Sequence, residues 1–288
     1  MSFFSPRVCI IGSGLIGGSL ALALKQVGAV ADVVGCGRNS TTLQRALELG
    51  IVDHYSTDIA EAVQSADMVV LSVPMLAMRE VLAQLEPVLQ PGMIVTDVGS
   101  AKQSVIVDAR AVLGDKLGQF VPAHPIAGTE KSGPDAAFAE LFRQRRVIVT
   151  PLPENNASDV ARVVAMWACV GAMVECMSAE HHDHVLAATS HLPHLLAFTL
   201  VDSLARMNES REVFRYAAGG FRDFTRIAAS DPTMWRDIAL ANSIEISLIL
   251  QQYQQELEDL QRDLQARNAQ ALFERFSRAQ AAREGIKL

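Results

Sequence analysis

Seven histidines in 288 residues are the first candidates for chemistry, because imidazole alone has an unperturbed pKa close to neutrality. His124 stands in Pro122-Ala123-His124-Pro125-Ile126-Ala127-Gly128-Thr129, just after an apolar run that reads as a strand. Ligands of open α/β sheets gather at the C-terminal ends of strands, so His124 is the candidate proton acceptor; the alternative is a histidine satisfied by local backbone. A second group, His181-His182-Asp183-His184 with His191 and His194, raises a metal site, since imidazoles one or two helical turns apart can converge on one ion. Adjacent histidines point to different helix faces and no second acidic ligand is clearly placed, so no metal is expected. The four cysteines form no CxxC pair, which makes zinc unexpected and fits reduced thiols better than a disulfide framework.

The other chemical signal is Ile10-Ile11-Gly12-Ser13-Gly14-Leu15-Ile16-Gly17, a GxGxxG loop between a strand and a helix. Gly12 permits the tight turn, Gly14 lets the backbone approach a pyrophosphate, and Gly17 permits close helix–strand packing; the helix N-terminus supplies unpaired N–H donors. Ser72, Val73 and Pro74, at the end of another strand, are expected on the same cofactor. The second strand ends in Gly35-Cys36-Gly37-Arg38-Asn39-Ser40, where an NAD-selective fold usually carries an acid on the ribose hydroxyls. None stands there. Arg38 with Ser40 suits a 2′-phosphate, and one charge-assisted contact of about 1.5–3 kcal/mol gives a preference of about 10- to 150-fold. The expectation is NADP or NAD, leaning to NADP; the alternative makes Arg38 a solvated residue stacking on adenine.

These residues need a scaffold. From Arg7 to about Thr150 short Val- and Ile-rich runs alternate with segments of helical period, the pattern of βαβ units in a doubly wound parallel sheet. The expected strands are Val8–Gly12, Asp32–Gly35, Met68–Val73, Met93–Asp97, Gln119–Val121 and Arg146–Thr150. After the Pro- and Asn-rich stretch 151–157, one helix and a short strand over Ala172–Cys176, the pattern turns helical. The expected division is a Rossmann-like domain over 1–178 and an all-helical domain over 179–288. In Ile238–Leu264 apolar residues recur at helical spacing against a Gln-, Glu- and Asp-rich face, which predicts one long amphipathic helix packing on a partner subunit.

Composition narrows the class. A chain that is 50% hydrophobic can bury a sizeable core. A formal charge of -7 without long like-sign runs suggests neither a nucleic-acid surface nor an anionic membrane patch. No signal-peptide series and no uninterrupted apolar run of membrane-spanning length is apparent, so a cytoplasmic protein is expected.

Three motifs follow in order: His124-Pro125-Ile126-Ala127-Gly128, Ser190-His191-Leu192-Pro193-His194 and Gly219-Gly220-Phe221-Arg222-Asp223-Phe224-Thr225-Arg226, with Ser230-Asp231-Pro232-Thr233-Met234-Trp235 beyond them. Together they resemble the prephenate/arogenate (cyclohexadienyl) dehydrogenase family of tyrosine biosynthesis, over nearly the whole chain. The resemblance implies a Rossmann domain followed by an all-helical dimerisation domain, a homodimer, and NAD(P)-dependent oxidative decarboxylation of prephenate or arogenate. It implies that His124 takes the proton of the ring hydroxyl, that Ser100 in Asp97-Val98-Gly99-Ser100 lies beside that hydroxyl, that Arg226 holds a substrate carboxylate, and that His191 lines the pocket. Glu130, Arg222, Asp223 and Trp235 match positions near the pocket entrance, where an acid–base pair would gate access; for Arg222 and Asp223 the alternative is solvated surface charge. The physics agrees, since a dianion in an acidic protein needs a fixed cation and arginine offers a bidentate fork.

Two other readings use the same first domain. One is a β-hydroxyacid-type or imine-reducing dehydrogenase, which would place a catalytic lysine or other residues on the helical part, where no such match is found. The other is a sensor that holds NADP(H) without turnover. No residue decides between prephenate and arogenate.

Overall fold

The structure, a computed structural model, describes residues 3–286. The chain forms two compact units, one ending at Ser243 and one running from Ile244.

In the first unit β1 (Ser5–Ile11), β2 (Val30–Cys36), β3 (His54–Ser56), β4 (Met68–Leu71), β5 (Ile94–Asp97) and β6 (Phe120–Val121) form one sheet in the order β3-β2-β1-β4-β5-β6, parallel throughout. Alternate residues enter opposite cores: Val8 and Ile10 of β1 with Met68 and Val70 of β4 on one side, Cys9 and Ile11 with Val69 and Leu71 on the other. Burial on both faces is why these strands read as continuous apolar runs. The connecting helices are α1 (Leu15–Gln26), α2 (Ser40–Glu48), α3 (Ile59–Ala62), α4 (Met78–Leu85) and α5 (Gln103–Leu113). The strand order reverses beside β1, and the crevice at the carboxyl ends of β1 and β4 is where such sheets bind ligands.

The last two expected strands are not part of that sheet. β7 (Ala123–Pro125), β8 (Arg146–Val149) and β9 (Met173–Cys176) make a separate sheet in that order, β7 antiparallel to β8 and β8 parallel to β9. Pro122, which has no N–H, ends β6 and starts the chain on the new sheet, with its carbonyl bonded to Thr150 N–H. β7 carries Pro125 and escapes a propensity reading because proline is tolerated only at a sheet edge, which β7 is.

Helices complete the unit: α6 (Ala157–Cys169), α7 (Ala179–Leu186), α8 (Leu192–Ala205), α9 (Ser210–Arg215), α10 (Gly219–Thr225) and α11 (Pro232–Ala241). A π turn over Ala187–His191 joins α7 to α8. Pro193 explains it, since its ring cannot donate to the Thr189 carbonyl four residues back and presses on it, so the backbone widens. The joined stretch Ala179–Ala205 is long and apolar enough, by length and composition, to cross a membrane, although the histidines within it interrupt the apolar run. Its His182, Asp183 and His191 are buried in this fold.

The long helix expected over 238–264 is also corrected. α11 stops at Asn242 (φ -114°, ψ 31°), and α12 (Ser243–Gln265) begins afresh. α12 and α13 (Ala269–Gly285) make up the second unit, tied by Arg275 to Glu256 at 2.5 Å. Ile244, Leu248, Leu250, Tyr253, Leu257, Phe273 and Phe276 on these two helices are exposed.

Candidate active site

The glycine loop sits between β1 and α1. Gly12 has φ +101°, and a Cβ there would lie 2.1 Å from the Ser72 carbonyl oxygen; only glycine fits. A Cβ on Gly17 would meet the Gly12 carbonyl oxygen at 2.2 Å, so this residue permits the close helix–strand contact. Nothing lies within 4 Å of a Cβ on Gly14, which leaves the backbone open to a ligand. Gly14 caps α1 without a side-chain partner, so the first N–H groups of the helix face outward. The Ser13 hydroxyl is buried with no partner.

A cavity of about 270 Å³ opens there, lined by Gly12, Ser13, Gly14, Arg38, Asn39, Ser72, Val73 and Pro74 among others. An orphaned hydroxyl, free helix N–H groups and a guanidinium fit a dinucleotide. Leu15, Ile16, Gly17 and Ser40 do not line the cavity; Leu15 and Ile16 pack on the core and Ser40 opens α2. Asn39 caps α2, accepting from Thr42 N–H at 3.1 Å. Arg38 is exposed. Glu80 also lines this cavity, a carboxylate that the sequence reading passed over.

The next strand over, β5, ends in Asp97, and a buried cluster hangs from it. Asp97 Oδ1 accepts from Ala123 N–H at 3.0 Å and Oδ2 from Gly99 N–H at 2.9 Å. Asp97 also pairs with Lys102, both side chains being 0% exposed, and Lys102 Nζ donates to the Ala123 carbonyl at 2.8 Å. The ion pair thus grips both backbone groups of the residue before His124. Burial pulls Lys102 below the usual lysine range while Asp97 opposes it.

His124 Nδ1 lies 2.8 Å from His182 Nε2, and His182 Nδ1 lies 2.7 Å from Asp183 Oδ1. Asp183 accepts from Lys102 N–H at 2.7 Å and from Gln103 N–H at 2.9 Å, so it caps α5 from the neighbouring helix α7. Burial works against its charge, but the hydrogen bonds from His182 and those two amides hold the carboxyl below its usual range. Burial, with His182, Lys102 and His191 nearby, drives His124 well below the usual imidazole range. His182 is lowered as well, by burial with Asp183 opposing. Both imidazoles are neutral at pH 7, and a neutral His124 has a lone pair to accept a proton.

His191, at the end of the π turn, has Nδ1 3.1 Å from Asn242 Nδ2, which also donates to the Asp183 carbonyl at 2.9 Å. The amide is a donor, so His191 carries its hydrogen on Nε2. Burial pushes its pKa down to about 4, and the Ser100 backbone, which accepts from the ring, opposes the fall. His194 stacks on Trp235 with centroids 3.7 Å apart, and Arg226 is close enough to lower its pKa further after burial. Ser100 follows the Asp97 turn, and its backbone approaches the His191 ring.

The structure therefore brings His124, His191 and Ser100 to one end of the parallel sheet, with Trp235 and Arg226 around His194. Trp235 is buried. Arg222 and Asp223 are 84% and 80% exposed and 3.9 Å apart, and Glu130 sits in an exposed loop with no ion pair among the described residues. Among the described residues Glu130 and Arg222 form no ion pair with each other, and the acid–base pair seen here is Arg222 with Asp223. His182, Asp183, Asp97, Lys102 and Asn242 carry the polar framework and were missed as such. The signal was present in part: Asp97 closes a strand at the sheet's ligand edge, and His182-Asp183 was considered only as a metal site. The described residues hold no group of three or more His, Cys, Asp and Glu placed to bind an ion.

Comparison with known proteins gives the family of the chain. Residues 20–176 match the family described as prephenate dehydrogenase, nucleotide-binding domain, and residues 178–278 match prephenate dehydrogenase, dimerization domain. The chain is 40% identical over 283 residues to the cyclohexadienyl dehydrogenase of Zymomonas mobilis, covering 98% of this chain and 96% of that one. It is 35% identical to the prephenate dehydrogenase of Bacillus subtilis, over 100% of this chain and 78% of that one. It superposes on the Aquifex aeolicus prephenate dehydrogenase crystallised with hydroxyphenyl propionate and NAD+ with TM-score 0.93 and 37% identity, each chain fully covered.

Proposed function

The chain belongs to the prephenate dehydrogenase family, and from that membership we propose that it oxidatively decarboxylates prephenate to 4-hydroxyphenylpyruvate, arogenate to tyrosine, or both. The observation that carries this reading is the buried, neutral His124, fixed through Ala123 to the carboxyl end of β5, beside the strand whose Ser72-Val73-Pro74 lines the dinucleotide cavity.

The bound nicotinamide supplies an electrophile for hydride. The protein's own residues hold and deprotonate the substrate. Ser100 and His124 receive the ring hydroxyl, and its O–H bond breaks toward His124 Nε2. The C–H bond on the same carbon breaks with its electron pair going to the cofactor. The bond to the ring carboxylate then breaks, CO2 leaves, and that electron pair completes the aromatic ring. The oxygen recovers the proton from His124, so no net proton is released. A general base contributes about 10²–10⁴-fold to such a step. Arg226 holds a carboxylate in a bidentate fork, and the buried His191 ring lines the same pocket. Glu130, Arg222 and Asp223 stand at the pocket rim as exposed charges.

Arg38, which lines the dinucleotide cavity, favours NADP over NAD. The functional division is 1–178 for the dinucleotide and 179–288 for substrate and dimer contacts. The match to a dimerization domain and the exposed apolar side chains of α12 and α13 support a homodimer, and a biosynthetic reaction on small molecules supports a cytoplasmic enzyme. The test is absorbance at the reduced-nicotinamide band with prephenate or arogenate, each with NAD or NADP, for wild type and His124→Asn. Turnover in at least one combination, lost in the variant with cofactor affinity kept, is expected. Silence in all four from protein that binds NADP overturns the reading.

A further inference from the structure

We infer that Asp183 and His182 act as a tautomer lock on His124, holding its hydrogen on Nδ1 and leaving the Nε2 lone pair to take the substrate's proton. The inference rests on the reading of His124 as the proton acceptor and adds two positioning residues to it.

Asp183 is the one group of the hydrogen-bonded chain whose role is unambiguous. Asp183 faces two backbone N–H donors, of Lys102 and Gln103, so both of its oxygens act as acceptors. The His182 nitrogen 2.7 Å from Oδ1 must then carry the hydrogen. A neutral His182 has only one N–H, so its Nε2 is an acceptor. His124 Nδ1, 2.8 Å away, must in turn donate. A neutral His124 that donates from Nδ1 has its lone pair on Nε2, which has no hydrogen-bond partner among the described residues. Each tautomer follows from the one before it.

The same chain handles charge. Once Nε2 takes a proton, His124 becomes an imidazolium near the Lys102 ammonium and two neutral imidazoles, with no carboxylate in direct contact. His182 links the new charge to the Asp183 carboxylate through two hydrogen bonds. A structural cap on α5 needs Asp183 alone; it has no need of His182 aligned on His124. In hydrolases where an Asp-to-Asn exchange inverts the catalytic histidine's tautomer, turnover falls on the order of 10⁴-fold.

The test uses the full chain with cofactor bound and 15N-labelled histidine, His124 being assigned by the signals lost in His124→Gln. The wild type is expected to show a protonated Nδ1 and an unprotonated Nε2 at His124. Asp183→Asn can present an amide N–H to His182, inverting both rings; it is expected to show hydrogen on His124 Nε2 and at least about a hundredfold lower kcat, with cofactor Kd within about threefold of wild type. A wild-type His124 protonated on Nε2 overturns the inference whether or not the variant folds. So does Asp183→Asn that keeps both tautomer and kcat, since a merely capping Asp183 would change stability and leave the imidazole nitrogens as they were. If His124→Gln keeps turnover, the proton-acceptor reading itself falls, an outcome distinct from failure of the lock.

Discussion

Replacing Lys102 by methionine tests how the site is held in place. The Lys102 and Asp97 side chains are both 0% exposed, so the ammonium cannot be replaced by water without opening the core. Its loss leaves the Asp97 carboxylate with two backbone amides only and strips the Ala123 carbonyl of its Nζ donor. Removing one partner of a buried pair costs about 3–5 kcal/mol because the other charge stays desolvated. Against a total stability of about 5–15 kcal/mol, that is a large fraction. With a urea m-value of about 2–3 kcal/mol/M, the midpoint should move down by about 1–2 M. Tryptophan fluorescence follows the transition, at one fixed protein concentration because a homodimer unfolds in a concentration-dependent way. Adding Asp97→Asn to Lys102→Met removes the stranded charge, and the double variant should regain at least about 1 kcal/mol over the single one. A Lys102→Met protein within about 1 kcal/mol of wild type, or a double variant weaker by the sum of the two single losses, would refute the account.

The two glycines of the loop should respond differently. Gly12→Ala combines left-handed strain with a backbone clash at 2.1 Å and should destabilise the fold by about 2–5 kcal/mol, while Gly14→Ala, with open space around its Cβ, should leave the melting temperature nearly unchanged and weaken cofactor binding; equal melting shifts would contradict this. Arg38→Gln should raise the KM for NADP by about 10- to 150-fold with little change for NAD, and parallel changes for both cofactors would remove the 2′-phosphate role. For His191, whose pKa is pushed down to about 4 from 6.5 by burial, the unfolded chain binds a proton below pH 6.5 that the folded chain refuses until about pH 4. Stability is therefore full above pH 6.5 and falls by up to about 3 kcal/mol between pH 6.5 and 4. Urea midpoints at pH 7 and pH 5 should differ less in His191→Gln than in wild type, and an unchanged difference would show that His191 does not contribute.

Much of the fold was legible locally. Continuous apolar runs such as Met68–Leu71 signalled strands buried on both faces, and the loop from Gly12 to Gly17 signalled the turn into α1, because these patterns follow from backbone sterics and a fixed period. Short elements escaped. β7 carries Pro125, and its existence depends on β8 lying alongside; the break at Asn242 was hidden because the apolar period continues through it, and the helix stops where the Asn242 side chain reaches the Asp183 carbonyl and His191.

The sequence by itself determined the chemistry on offer: a glycine loop with no acid after the second strand, a histidine just after the apolar run Gln119–Val121, and an arginine distant in the chain. Those are matters of residue type and local spacing. Only the tertiary structure decided which histidine nitrogen is free, because that depends on Asp183, 59 residues beyond His124, reaching across to cap α5 while holding His182. A hydrogen's place on an imidazole is set by its partners in space, and no spacing along the chain encodes it.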